Sequence, residues 1–225
     1  MAREIPQDVY LTENELQTIA GIDLSDRTQY ITIQQGQNGE EKTVKVHYHT
    51  LDRVRDLFMI GCYTGLRVSD YNNIKPHHIK GKYIDLYQRK TGERVVIPIH
   101  NTVKTIIAKY GGQTPPKISD QKINQYIKEI CKLAEITETI EKQQTKGGEK
   151  VASVLEKWQL VTSHTARRSF ATNMTKQGIP IQLIMKITGH KKESVFLKYI
   201  KLSALEYAEI LQKHLHTGTN NLSAL

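Results

Sequence analysis

Between Ser163 and Leu215 the chain stops and restarts helices so often that little else can form there. Ser163 is placed to cap a helix carrying Phe170, Ala171 and Met174, which should stop at Gly178. Pro180 starts the next, with Leu183, Ile184 and Ile187, and Gly189 ends it. A short helix around Val195–Tyr199 follows. Ser203 and Glu206 then form a capping box that opens a last helix to about His216, striped with Leu205, Ala208, Leu211 and Leu215. Such a segment predicts short helices packed on one another. One reading of the last stripe is that it packs on its own domain.

The rest of the chain mixes helical and alternating patterns. Thr12 with Glu15 makes a capping box, Leu11 with Leu16 a hydrophobic staple, and a helix runs to about Ala20. Residues 29–49 alternate through Ile31, Ile33, Val44, Val46 and Tyr48 around a Gly-Gln-Asn-Gly turn, which predicts a hairpin. Thr50 can cap a helix with Leu51, Val54, Leu57 and Phe58 on one face, broken at Gly61 and Gly65. A short helix follows Gly65. Two strands, Tyr83–Tyr87 and Arg94–Ile99, flank the turn Lys90-Thr91-Gly92. Asn101 begins a helix to about Tyr110, and Ser119 caps one whose apolar face is Ile123, Ile127, Ile130 and Ala134. The polar stretch 137–157 reads as an exposed loop or long hairpin. The expected fold is α+β: a mostly helical domain over residues 1–216 with a small antiparallel β-sheet, then a mobile tail, 217–225.

Basic residues outnumber acidic ones by 32 to 23, a net charge of +9 that favours a phosphate-rich partner. Cys62 and Cys131 lie in apolar helical patterns with no metal-ligand spacing, and read as buried free thiols of a cytoplasmic protein. No apolar run approaches the length that spans a bilayer, and no signal peptide is visible, so no membrane partner is expected.

Four segments carry chemistry-bearing residues: Thr64-Gly65-Leu66-Arg67-Val68-Ser69-Asp70, Arg89-Lys90-Thr91-Gly92, Ser163-His164-Thr165-Ala166-Arg167-Arg168, and Gly189-His190 with Tyr199 nine residues on. In this order they resemble the catalytic domain of the tyrosine recombinase (phage integrase) family. Each piece alone is common; the ordered set is specific. The resemblance, from about Leu11 to Leu215, implies catalytic roles for Arg67, Lys90, His164, Arg167, His190 and Tyr199. It implies double-stranded DNA as substrate and a tetrameric synapse on it, and it allows a monomer when free. Family members carry an N-terminal DNA-clamping domain, and the chain is expected to lack it. The stretches 29–49 and 137–157 look like those of mobile-element integrases, in particular of Bacteroides-type conjugative transposons.

Chemistry supports these roles independently. Cutting and rejoining DNA without an energy source requires a covalent protein–phosphate link, which a side-chain nucleophile supplies. A tyrosine, here Tyr199, suits this because a phenolate is also a tolerable leaving group for the return step. Arg67 and Arg167 can grip the non-bridging oxygens with paired donors. Lys90 can protonate the departing 5′ oxygen, His164 can accept the tyrosine proton, and His190 can hydrogen-bond the phosphate. No metal or cofactor is expected. Arg89 and Arg94 compete with Lys90 for its role. Asp70 reads as a structural orienter that could pair with a catalytic arginine, and Tyr207 as a packing residue. Arg168 reads as structural or as a phosphate contact, and Lys186, Lys191, Lys192 and Lys198 as contacts to the DNA backbone. A type IB topoisomerase and a DNA-binding regulator with a decayed site remain alternatives.

Overall fold

The structure is a computed structural model that describes residues 9–25, 29–35, 40–146 and 149–219. The first helix, α1 (Glu13–Gly21), starts at the expected capping box: the Glu15 amide donates to Thr12 Oγ1, and the Thr12 amide to Glu15 Oε2 at 2.7 Å. A hairpin follows, β1 (Gln29–Gln35) against antiparallel β2 (Glu40–Val46), with Ile31 opposite Val44. Its Gly-Gln-Asn-Gly turn lies outside the described residues.

Helix α2 (Tyr48–Thr64) is the centre of the molecule, packed by α1, by α3 (Val68–Tyr71), by α4 (Asn101–Lys109), by α5 (Asp120–Leu133) and by α7 (Ser163–Lys176). Two expectations change here. The helix begins at Tyr48, not Thr50, because the Thr50 amide already donates to the His47 carbonyl at 2.9 Å and the Tyr48 ring leaves the strand to pack on His49. It also runs through Gly61 to Gly65. At Gly61 a Cβ would lie 2.7 Å from the Tyr71 ring and 3.0 Å from Ala166, so this glycine permits close packing instead of breaking the helix. Every residue from Asp56 to Leu66 is buried, so the single apolar face expected for this helix becomes a fully enclosed surface.

A three-stranded antiparallel sheet, order β3-β4-β5, lies beside this bundle: β3 (Ile79–Lys80), β4 (Tyr83–Tyr87) and β5 (Arg94–Pro98). Ile84 opposite Ile97, and Leu86 opposite Val95, form its buried face. The apolar residues expected on α5, Ile123, Ile127, Ile130 and Ala134, are all buried. The polar stretch forms a hairpin, β6 (Thr139–Lys146) with β7 (Glu149–Glu156), leading into the short α6 (Lys157–Leu160). Cys62 and Cys131 are buried free thiols.

The N-cap of α7 is Thr162 rather than Ser163; the Ser163 amide is already taken by Asn124 Oδ1 at 2.7 Å. A second apolar cluster, Phe170, Ala171, Ile184, Phe196 and Ile200, ties α7 to α8 (Ile181–Thr188), α9 (Glu193–Phe196) and the 3-10 turn Leu197–Tyr199. Burial of a side chain such as Phe196, 0% exposed, is worth ~1.5–3 kcal/mol, so the turn holding Tyr199 is anchored directly from beneath. The final helix α10 (Ala204–Thr219) has its capping box, with the Ser203 amide on Glu206 Oε2 at 2.8 Å. It continues into what was expected to be tail at 217, while 220–225 lie outside the described residues. Its anchor is polar: Glu206 Oε1 accepts from Lys176 Nζ at 2.8 Å and Tyr10 Oη at 2.7 Å. Leu205, Leu211 and Leu215 are 60–68% exposed, so among the described residues the stripe is not buried on its own domain, and Tyr207 is exposed rather than packed. Among the described residues no helix is long and apolar enough to cross a membrane.

Candidate active site

Arg67 follows the left-handed cap at Gly65 (φ 65°), where the Gly65 amide donates to the Gly61 carbonyl and α2 ends. Its Nη1 donates to Gln88 Oε1 at 2.8 Å. Arg167, on α7, is 1% exposed. Burying a guanidinium costs several kcal/mol unless its donors are met. Here Nη1 donates to the Gly65 carbonyl at 2.8 Å and Nη2 to the Thr188 carbonyl. These carbonyls end α2 and α8, where helix dipoles place partial negative charge. Burial, then the positive charge of Arg67, pulls the Arg167 pKa down to about 10; Tyr199 and Asp70 act in the opposite sense. It stays a cation at neutral pH.

His190 sits one residue beyond the α8 cap. The Thr188 hydroxyl donates to the Ile184 carbonyl at 2.7 Å, so its 2.8 Å contact with His190 Nδ1 assigns the proton to the ring nitrogen. Nε2 is then left as an acceptor 3.1 Å from Arg167 Nη2. Burial first, then the charges of Arg167 and Arg67, push the His190 pKa down to about 3. Because this folded value lies below the unfolded value of about 6.5, the unfolded chain takes up a proton first as pH falls. The contribution of His190 to stability is complete above pH ~6.5 and shrinks towards pH 3. His190→Gln should therefore flatten the fall of Tm between pH 7 and pH 4. Parallel melting curves for wild type and variant across that range would remove His190 as its source.

Tyr199 is half-buried against both groups. The Arg167 guanidinium lies over its ring at 5.6 Å from the centroid, and the His190 ring centroid is 4.9 Å away. Thr172 Oγ1 donates to the Tyr199 carbonyl at 3.2 Å, fixing the backbone of the turn to α7. Arg67, Arg167, His190 and Tyr199 thus share one site, drawn from three separated stretches of sequence.

The other two expected residues stand at its rim. His164 is exposed in the first turn of α7, three residues ahead of Arg167 and so on the same side of the helix. Lys90 is exposed at the tip of the β4–β5 turn and makes no hydrogen bond or ion pair with any described residue. Asp70 is a structural orienter as expected, but it makes no ion pair with Arg67 or Arg167. Its Oδ1 instead accepts from the Arg89 amide at 2.9 Å, so this buried carboxylate holds the Lys90 turn. Lys186, Lys191, Lys192 and Lys198 are exposed, with Lys191 in an ion pair to Glu93 at 2.8 Å. Sequence reasoning missed Gln88 and Thr188. Gln88 had a signal: it occupies the inward phase of Ile84 and Leu86, where an apolar residue belongs.

Two arginines, a histidine and a tyrosine thus meet in one basic site of a mostly helical α+β domain, a set of groups suited to a phosphate ester. Residues 41–206 match the phage integrase family, and the chain belongs to that family. It is 30% identical over 181 residues to tyrosine recombinase XerA of Pyrococcus horikoshii, covering 77% of this chain and 59% of the relative. The chain thus spans less than two thirds of that relative's length. Among solved structures it is similar to XerA recombinase, with TM-score 0.60, 17% identity and coverage of 95% of this chain and 66% of the other. It also resembles a lambda integrase dimer bound to a COC′ core site, with TM-score 0.57, 18% identity, and coverage of 89% and 62%. At these identities the structural likeness speaks for the fold.

Proposed function

We propose that this chain is the catalytic domain of a site-specific DNA recombinase that cuts and rejoins strands through a 3′-phosphotyrosyl intermediate. The observation that carries this is the packing of Tyr199 against Arg167 and His190, both of which feel the Arg67 charge. A scissile phosphate beside the tyrosine meets two fixed cations. Tyr199 Oη attacks phosphorus, forming the P–Oη bond and breaking the bond to the 5′ oxygen. His164 takes the phenol proton and Lys90 gives one to the 5′ oxygen. Attack by a 5′ hydroxyl on the phosphotyrosine reverses both transfers and frees the tyrosine.

His190 takes a second role only when DNA arrives. Without phosphate its Nε2 accepts from Arg167. A phosphate drawing the Arg167 donors releases Nε2, and its negative charge favours the protonated ring, which can then donate to it. Double-stranded DNA is the partner supported by the +9 charge, by the exposed lysines around Tyr199 and by the lambda integrase likeness. The exposed Leu205, Leu211 and Leu215 face of α10 is suited to dock on a neighbouring protomer in a multi-protomer synapse. The hairpins β1–β2 and β6–β7 support the narrower reading as an integrase of a conjugative mobile element.

The test uses a nicked substrate whose cleaved product cannot religate, with and without sulfur at the 5′-bridging position. Wild type should form a covalent complex on denaturing gels. Lys90→Ala should be slow on ordinary DNA, by roughly 100- to 10,000-fold, and largely restored on the sulfur substrate, whose thiolate needs no proton. Equal defects on both substrates would move the general acid elsewhere, first to Arg89. A wild-type chain that binds DNA without any covalent product would favour the DNA-binding regulator.

A further inference from the structure

Gln88 is 1% exposed, a carboxamide held inside an otherwise apolar strand face. Its single side-chain oxygen takes two donors from different segments: Arg67 Nη1 at 2.8 Å and Thr91 Oγ1 at 3.2 Å. A carboxamide oxygen has two lone pairs, so both donors fit. The backbone of the same residue closes the turn that carries Lys90. Its amide donates to the Glu93 carbonyl, and its carbonyl accepts from the Gly92 amide, each at 2.8 Å. The chain after α8 rests on the carboxamide as well: a Cβ at Gly189 would lie 2.4 Å from Gln88 Oε1. Gln88 therefore touches the segments of Arg67, Lys90 and His190 at once.

We infer that Gln88 is a positioning residue, whose one side-chain oxygen sets the Arg67 guanidinium and the Lys90 turn in a fixed relation before DNA binds. A guanidinium free to rotate would have to be ordered at the moment of reaction, and a loose turn would carry its general acid out of line. The inference rests on the roles proposed above for Arg67 and Lys90.

The test measures single-turnover cleavage of the nicked substrate at saturating DNA. Gln88→Met, of similar length but with no acceptor, should cleave about tenfold to a hundredfold more slowly, the scale of one lost bond to a charged group. Its DNA affinity should be unchanged. Gln88→Glu, which keeps an oxygen for both donors, should recover most of the rate. In an Arg67→Ala background Gln88→Met should cost clearly less than it does alone, because only its hold on the Lys90 turn is left to lose, a coupling that a merely structural role would not produce. Should the Met variant fail to fold, Thr91→Val carries the test: slower on ordinary DNA, restored on the 5′-sulfur substrate. A Gln88→Met rate equal to wild type beside an impaired Arg67→Ala overturns the positioning role alone. So does the same fold-loss in both backgrounds, or a Thr91→Val variant without a defect. An Arg67→Ala variant that cleaves normally overturns instead the role given to Arg67.

Discussion

Tyr199→Phe should abolish covalent attachment to DNA, a loss on the order of a millionfold in rate, the scale of deleting a nucleophile. The phenyl ring keeps its place: it still lies under the Arg167 guanidinium, beside the His190 ring and over the Phe170–Phe196 cluster. Only Oη is removed. Non-covalent binding should therefore survive nearly intact, because the charge that attracts DNA is untouched. A denaturing gel reads the covalent product and a native gel the binding. Undiminished covalent product in the variant would move the nucleophile, and Tyr207, 49% exposed on α10, is where it should next be sought.

Arg167→Lys should lower the cleavage rate by roughly 100- to 1,000-fold, the usual consequence of losing one donor to the transition state. The structure adds a second expected effect. One guanidinium serves the Gly65 carbonyl, the Thr188 carbonyl and His190 together, and an ammonium on a flexible stem cannot reproduce that planar fork. At least one buried acceptor is left unmet, which costs ~1–3 kcal/mol, so the variant should also melt lower. Arg67→Lys should lose a comparable factor in rate with a smaller change in melting, since Arg67 is only half-buried and, among the described residues, its side chain bonds Gln88 alone. Cleavage near the wild-type rate in either variant would reduce that arginine to a structural part.

Much of this was legible in the residues, for a physical reason: caps and turns are local. The boxes at Thr12–Glu15 and Ser203–Glu206, the left-handed caps at Gly65 and Gly189, and the β4–β5 turn each depend on atoms within a few residues. The order of the site residues belongs to the sequence too, as does the +9 charge that points to phosphate. Tertiary structure decided whatever depends on a distant partner. Gly61 looks like a helix breaker until Tyr71 and Ala166 are found against it. Asp70 could have paired with an arginine, and only packing turns it to the Arg89 amide, 19 residues on. The leucine stripe of α10 reads the same whether buried or bare; it is bare because Glu206 anchors that helix through Lys176 and Tyr10 by its other side. That Arg67, Arg167, His190 and Tyr199 meet at all was settled by α2 and α8 ending on one guanidinium carried by α7, a convergence that no local spacing encodes.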